Sequence, residues 1–150
     1  MIESSSINEV RKEIGKLVSK KRQVVVVARD EDFNRKVLEQ KNVDVLLFSD
    51  FFGRDKLKQR DSGLNQVLCK IAAKNKVVVG IDVKALFLAK NLSRALARVM
   101  QNIRLCRKYK VGVVLVNVKG KDKKDLHGFL LTLGADTKMA KNAVDESFDV

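Results

Sequence analysis

The sequence lacks proline altogether, and no low-complexity stretch or obvious linker divides its 150 residues. A chain of this length fits one domain of about the commonest size. Apolar residues make up 45% of the chain and charged residues 33%, which is enough for a core beneath a heavily charged surface. We therefore predict a single domain spanning residues 1–150.

Long apolar runs are also missing. The apolar runs at 24–28 and 113–116, for example, have the length of a strand and fall far short of the roughly 20 apolar residues of a membrane helix. Residues 1–10 carry two glutamates and three serines, where a secretory signal would carry a basic segment followed by an apolar one. The sequence predicts a cytoplasmic protein with no membrane partner.

Cysteine and histidine are scarce. Cys69 and Cys106 lie in apolar-periodic segments without CxxC spacing, which favours buried reduced thiols over a disulfide or a metal site. His127 is the one histidine of the sequence, and one histidine cannot supply the usual multi-histidine metal site. The sequence also has no phosphate-binding loop, dinucleotide fingerprint or nucleophile elbow. We predict no catalytic residue and no metal ligand in this protein.

Two aspartates at predicted strand ends, Asp82 and Asp50, come closest to catalytic positions. Two carboxylates can in principle contribute to a Mg²⁺ site, but no base or nucleophile accompanies them. We predict that Asp82 instead accepts hydrogen bonds from neighbouring backbone N–H groups.

Acidic residues are few relative to basic ones. Asp and Glu total 18 against 31 Lys and Arg, which gives a net charge of +13. Such an excess repels itself in the compact state and indicates a polyanionic partner. Nucleic acid is the usual one, because neutralised phosphates release condensed counterions. A membrane surface is less favoured, since no basic helix combines a bulky apolar face with low overall hydrophobicity.

Short β-branched runs alternate with longer segments of helical spacing. Strands are predicted at 23–28, 43–48, 77–82 and 111–118. Helices are predicted at 6–19, with a capping box of Ser6 and Glu9, and at 30–40, 64–73, 91 or 93 to 109, 122–133 and 136–146. The order α-β-α-β-α-β-α-β-α-α implies an α/β fold with a mostly parallel sheet and right-handed crossovers. Periodicity alone does not distinguish an open sheet from a barrel.

Two long motifs carry a family resemblance. Residues 60–83 read RDSGLNQVLCKIAAKNKVVVGIDV, and residues 96–111 read LARVMQNIRLCRKYKV. They resemble the D-S-G-[LI]-N-x-V and R-x-x-Q-N-[IL]-R-L-C-R-K-Y blocks of the archaeal ribonuclease P protein component 3 family, related to the thirty-kilodalton protein subunit of the nuclear enzyme. The segment VDVLLFSDFFGRD at 43–55 also fits. The family's Ser-Ser-Gly-Ala turn is replaced here by residues 117–122. The resemblance implies an abbreviated or distorted TIM-like (PHP-like) α/β barrel.

The resemblance also implies a function. In ribonuclease P the RNA, with Mg²⁺, removes the 5′ leader from precursor tRNA, and the proteins fold, brace and charge-compensate that RNA. The chain is then expected to be a non-catalytic, RNA-binding subunit without a cofactor of its own. Its expected partners are ribonuclease P RNA, precursor tRNA and ribonuclease P protein component 2, the last in a heterotetramer.

The helix predicted at 91–109 supplies the main candidate surface. At 100° per residue, it places Arg94, Arg98, Gln101, Arg104 and Lys108 within an arc of about 120°, opposite its apolar residues. The segment contains no Asp or Glu, whereas a merely solvated helix face normally includes glutamates in i,i+4 pairs. Since arginines can bind successive phosphates bidentately, we predict that this face binds RNA.

Other candidates lie in loops. Lys119 and Lys121 suit phosphate contact, although exposed loop lysines are common, and a third basic cluster surrounds the first helix. Arg60 and Asn65 belong to the matched block, in which Ser62 could be a helix N-cap. At 51–54, two phenylalanines precede a glycine and an arginine, and packing is favoured there over base stacking. The full set of candidate RNA-binding residues is Arg60, Asn65, Arg94, Arg98, Arg104, Lys108, Lys119 and Lys121.

Two other hypotheses stay open. The first is a stand-alone metal-dependent phosphoesterase on a related α/β barrel, for which Asp82 would be the critical residue. The second is an interaction module that contacts only protein.

Overall fold

The computed structural model describes residues 1–50 and 60–150. The strands found there are β1 (Val25–Val27), β2 (Val45–Phe48), β3 (Val78–Asp82) and β4 (Val113–Val116). The helices found there are α1 (Ile7–Ser19), α2 (Glu31–Leu38), α3 (Gln66–Asn75), α4 (Val83–Phe87), α5 (Leu92–Tyr109), α6 (Lys123–Thr132) and α7 (Thr137–Asp145). The predicted alternation is confirmed, with the short α4 as an addition, and every strand is shorter than its predicted run.

The four strands form one parallel sheet, as the alternation predicts, and their order is β1-β2-β3-β4. The register is given by the pairs Val25–Val45, Val45–Val78 and Val79–Val113. Beyond these strands, Ile2 forms a parallel bridge to Val26 and Phe148 forms one to Val116. Each outer strand is therefore hydrogen-bonded to a further segment of the chain.

Both faces of the sheet are apolar and buried. The face toward the helices, with residues such as Val26, Leu46 and Ile81, belongs to the main core. The opposite face carries a second apolar cluster of Val25, Val45, Leu47, Val114 and Val116. A Cβ atom at Gly80 would lie 2.7 Å from Cγ1 of Val45. The neighbouring strand thus fills the space above Gly80 on this second face.

Polar side chains fix where most of the helices begin. The residues whose side chains accept a backbone N–H at a helix start are Asp30, Asn65, Asp82, Asn91, Asp122 and Asp136. Gly134, with φ +101°, follows the end of α6 as predicted. Because α2, α4 and α6 directly follow β1, β3 and β4, the caps Asp30, Asp82 and Asp122 lie toward the carboxyl edge of the sheet.

The predicted capping box at α1 is wrong. Ser6 occupies the N-cap position but makes no side-chain cap. The hydroxyl of Ser4 takes its place, because it hydrogen-bonds the Glu9 carboxylate and also accepts the Ser6 N–H at 3.0 Å. No helix within the described ranges is long and apolar enough to cross a membrane.

Candidate nucleic-acid interface

The exposed side of α5 is basic. The helix has 18 residues without Asp or Glu, and its start is fixed by Asn91, whose Oδ1 accepts the Arg94 N–H at 2.9 Å. Arg94, Arg104, Arg107 and Lys108 are all exposed. Three of the predicted residues are therefore exposed, and Arg107, which was not predicted, lines a hollow with Arg104 and Lys108.

Arg60 lies beside this side of α5. Nε2 of Gln101 donates a hydrogen bond to the backbone oxygen of Arg60 at 3.3 Å. A hollow of about 330 Å³ is lined by Arg60, Gln101, Arg104, Leu105 and Lys108. A second hollow, of about 410 Å³, shares Arg104 and Lys108 with the first and is also lined by Arg107. We call Arg60, Arg104, Arg107 and Lys108 the basic face. Within residues 1–50 and 60–150, no carboxylate forms an ion pair with these four side chains.

The prediction that Arg98 shares the exposed side of α5 is wrong. Arg98 is only 4% exposed and Asn102, one turn later, only 3%. Both residues flank the apolar stripe of the helix, and they face the turn at Asp61–Gly63 instead of solvent. The buried arc of α5 is therefore wider than its apolar residues alone indicate.

Arg98 and Asn102 line a cavity of about 550 Å³ at the carboxyl ends of β1 and β2, which we call the edge cavity. Its polar wall is formed by Glu3, Arg29, Asp30, Glu31, Ser49, Asp50, Asp61, Ser62, Gly63, Arg98 and Asn102. The cavity occupies the position where parallel α/β sheets generally bind their ligands, outside the carboxyl ends of the strands.

The D-S-G-L-N block builds one side of the edge cavity. Asp61 Oδ1 accepts the Gly63 N–H at 3.1 Å, and Gly63 has φ +76°, with a hypothetical Cβ only 3.0 Å from the Phe48 ring. Both observations require glycine at this position. Asn65 ends the block as the N-cap of α3, accepting the N–H groups of Val67 and Leu68 at 2.9 and 3.0 Å.

The cap of α3 differs from one sequence hypothesis. Asn65, and not Ser62, is the N-cap, while the Ser62 hydroxyl donates to the Leu64 oxygen at 3.3 Å. The Asn65 amide also donates to Glu31 Oε1 at 2.5 Å. Both polar atoms of this candidate RNA-binding side chain thus form hydrogen bonds within the chain.

Asp82 is engaged in the same way. Its Oδ1 accepts the Ala85 N–H at 2.9 Å, as the N-cap of α4, and its Oδ2 accepts Nδ2 of Asn117 at 2.9 Å. The predicted capping role is confirmed. Asp50 lines the edge cavity. In the described part of the chain, no three His, Cys, Asp or Glu side chains come together in a group that could hold a metal ion.

The lysines after β4 form a separate patch. Lys119 and Lys121 are exposed, the Lys119 N–H donates to Asp149 Oδ1 at 3.1 Å, and Lys121 Nζ lies 5.2 Å from the centre of the Phe87 ring. His127, half-buried in α6, lines a shallow hollow with Lys123, Lys124 and Lys141. The phenylalanine pair at 51–52 lies outside the described residues.

The two cysteines are buried and free, as predicted. A hydrogen bond joins the thiols of Cys69 in α3 and Cys106 in α5. It raises the pKa of the Cys106 thiol, an effect that burial reinforces, and it lowers the pKa of Cys69. The pair lies where α3 contacts α5.

Comparison with known proteins points in one direction, although the chain matches no protein-family model. It is 31% identical to ribonuclease P protein component 3 of Methanococcus vannielii over 95% of this chain and 62% of that protein. It is 38% identical to that of Methanosarcina acetivorans over 68% of this chain and 41% of that protein. A chain in a cryo-EM structure of archaeal ribonuclease P with mature tRNA superposes with a TM-score of 0.76 and 26% identity, over 96% of this chain and 62% of that one. Where nearly all of this chain is aligned, it thus spans about three-fifths of the length of the relative.

Proposed function

Because the chain is a relative of the archaeal ribonuclease P protein component 3 proteins over nearly its whole length, we propose that it is a subunit of ribonuclease P. In this proposal it binds the ribonuclease P RNA and supports removal of the 5′ leader from precursor tRNA. Mg²⁺ acts with the RNA, and the chain contributes binding and not cleavage.

The basic face is the observation that carries this proposal. Arg60, Arg104, Arg107 and Lys108 lie around two adjoining hollows. Guanidinium groups bind phosphates bidentately, and each phosphate neutralised releases condensed counterions. A surface of several adjacent cations, none of them paired with a carboxylate among the described residues, therefore suits a phosphate backbone better than an ordinary solvated helix does.

The protein partner is also a proposal. We expect ribonuclease P protein component 2 to bind this chain, with two such pairs forming a heterotetramer. Support for a protein contact comes from the junction of α4 and α5, where Phe87, Leu88 and Leu92 are 48%, 71% and 40% exposed. Adjacent exposed apolar side chains of this kind mark interaction sites more often than isolated ones do.

We further propose that the sheet is part of a TIM-like barrel. The sequential order of parallel strands, joined by right-handed crossovers, places the connecting helices on one side. The second apolar face, on which neighbouring side chains fill the space above Gly80, then corresponds to the interior of the barrel. The bridges of Ile2 and Phe148 to the outer strands support a sheet that continues beyond its four named strands.

RNA binding by the basic face is tested by comparing two triple variants that each remove three positive charges. Replacing Arg60, Arg104 and Lys108 by alanine should lower the slope of log affinity against log salt for ribonuclease P RNA by about 2 to 3. Removing the exposed lysines Lys12, Lys16 and Lys20 from the region of α1 deletes the same charge elsewhere and should leave the slope unchanged. An unchanged slope in the first triple variant would remove the basic face from the RNA interface.

A second assay separates the subunit from a stand-alone phosphoesterase. The purified chain should not hydrolyse precursor tRNA without the RNA subunit, and Asp82→Asn should leave cleavage by the reconstituted enzyme unchanged apart from stability. RNA-independent hydrolysis that is lost in Asp82→Asn would contradict the proposed function.

A further inference from the structure

We propose that the edge cavity binds one unpaired nucleobase that carries an exocyclic amino group, guanine foremost, from an RNA strand lying on the basic face. The inference deepens the proposed function and rests on it, because the RNA backbone must first be held by that face. The cavity, with about 550 Å³, lies within the size range of small-molecule sites in proteins.

Asn102 provides the first observation. Its side chain is 3% exposed and lines the cavity, and its amide nitrogen donates to the Ser62 backbone oxygen at 3.4 Å. Its Oδ1 atom is buried and accepts no hydrogen bond from any described residue. Because an unsatisfied buried acceptor is costly, a ligand that donates an N–H to this oxygen is favoured.

The charge of the wall determines which ligand fits. Five acidic residues, Glu3, Asp30, Glu31, Asp50 and Asp61, line the cavity beside two basic ones, Arg29 and Arg98. Acidic residues thus outnumber basic ones on this wall, whereas the chain as a whole carries a charge of +13. Carboxylates repel a phosphate and accept hydrogen bonds from N–H donors. The ligand group inside the cavity is therefore rich in donors and not anionic, as is the amino-bearing edge of a base.

Guanine matches this wall best among the bases. It presents an imino and an amino N–H side by side, which one carboxylate can accept together, and the apolar ring of Phe48, also on the wall, can contact its face. Uracil presents a single N–H donor and cannot bind a carboxylate through two adjacent N–H groups. Proteins commonly read unstacked RNA bases in this way, through their Watson–Crick edges.

A continuous path connects the cavity to the basic face. The edge cavity shares Glu31, Asp61 and Gly63 with a neighbouring hollow of about 350 Å³. That hollow shares Arg60, Gln101 and Leu105 with the first hollow of the basic face. An RNA strand with phosphates on the basic face can therefore place an adjacent base in the cavity. The same continuity favours a base over the arginine or lysine side chain of a protein partner.

The experiment uses the full chain and short single-stranded oligouridylates that contain one guanosine. Replacing that guanosine by an abasic nucleotide should weaken binding about tenfold, while the salt slope stays the same because the phosphates remain. Asn102→Ala should give a similar loss with the guanosine strand and no further loss with the abasic strand. Asn142→Ala, which removes an exposed asparagine of α7, is the matched control and should change neither affinity.

Each outcome separates the two proposals. If RNA binding depends on salt but its affinity changes neither with the abasic nucleotide nor with Asn102→Ala, the base-binding proposal is wrong and the proposed function still stands. Absence of salt-dependent RNA binding would overturn both. If Asn102→Ala fails to fold, the abasic series with the unchanged protein still decides. The base assignment would also be overturned if free uridine abolished the affinity gained from the guanosine. An NMR titration in which arginine amide binds in the cavity and guanosine does not would overturn it as well.

Discussion

Helices α1 and α5 are both amphipathic and basic, but they differ in how their charges are arranged. α1 interleaves Arg11, Lys12 and Lys16 with Glu9 and Glu13, whereas α5 has five basic residues and no acidic one. The comparison teaches that the absence of compensating carboxylates, more than the number of cations, identifies a surface that needs an external anion.

The largest effect should come from charge reversal. Arg104→Glu with Lys108→Glu places carboxylates where phosphates are proposed to bind, and RNA affinity should fall about a hundredfold at 0.1 M salt. Lys12→Glu with Lys16→Glu makes the same change in α1 and should lower the affinity only a few-fold, measured by filter binding. Equal losses in the two double variants would show that total charge, and not its position, controls binding.

A smaller effect should distinguish a buried arginine from an exposed one. Arg98→Ala should destabilise the fold by about 2 kcal/mol, because a buried side chain and its contacts are lost. Arg11→Ala, on the exposed side of α1, should change the free energy of unfolding by less than about 0.5 kcal/mol. Urea denaturation measures both, and a near-neutral Arg98→Ala would contradict the burial of that side chain.

The smallest effect concerns the helix starts. Asn91 caps α5 through its Oδ1 atom, so Asn91→Ala should cost about 1 kcal/mol. Ser6 makes no side-chain cap at α1, so Ser6→Ala should change the stability by only a few tenths of a kcal/mol, because no such bond is lost. Thermal unfolding of the two variants compares them, and equal shifts would mean that the two helix starts do not differ.

The sequence predicts the elements well because their signals are local. β-branched runs predict the strands, and Asn91, Asp136 and Gly134 are typical helix boundaries whose backbone partners lie within a few residues. The parallel sheet follows from the alternation of strands and helices. All of these features depend on neighbours along the chain.

The site was harder to predict because it depends on distant contacts. Asn102 is buried where it donates a hydrogen bond to the Ser62 oxygen, 40 positions earlier in the chain, and Arg98 is buried on the wall of the same cavity. Arg107 lies close to the apolar stripe in helical projection, yet it is exposed at the last turn of α5, where its Nη1 reaches the Gly134 oxygen at 3.2 Å. Helical periodicity contains no information about either arrangement.

The bridges at the two outer strands have a consequence for solubility. Ile2 accepts from the Val27 N–H and donates to the Val25 oxygen, while Phe148 accepts from the Asn117 N–H. These bonds occupy backbone groups on valine-rich strand edges that would otherwise be templates for a strand of another molecule. Detachment of either segment would thus expose a strand edge to intermolecular β-aggregation. Ile2 covers the edge of β1 and Phe148 covers the edge of β4.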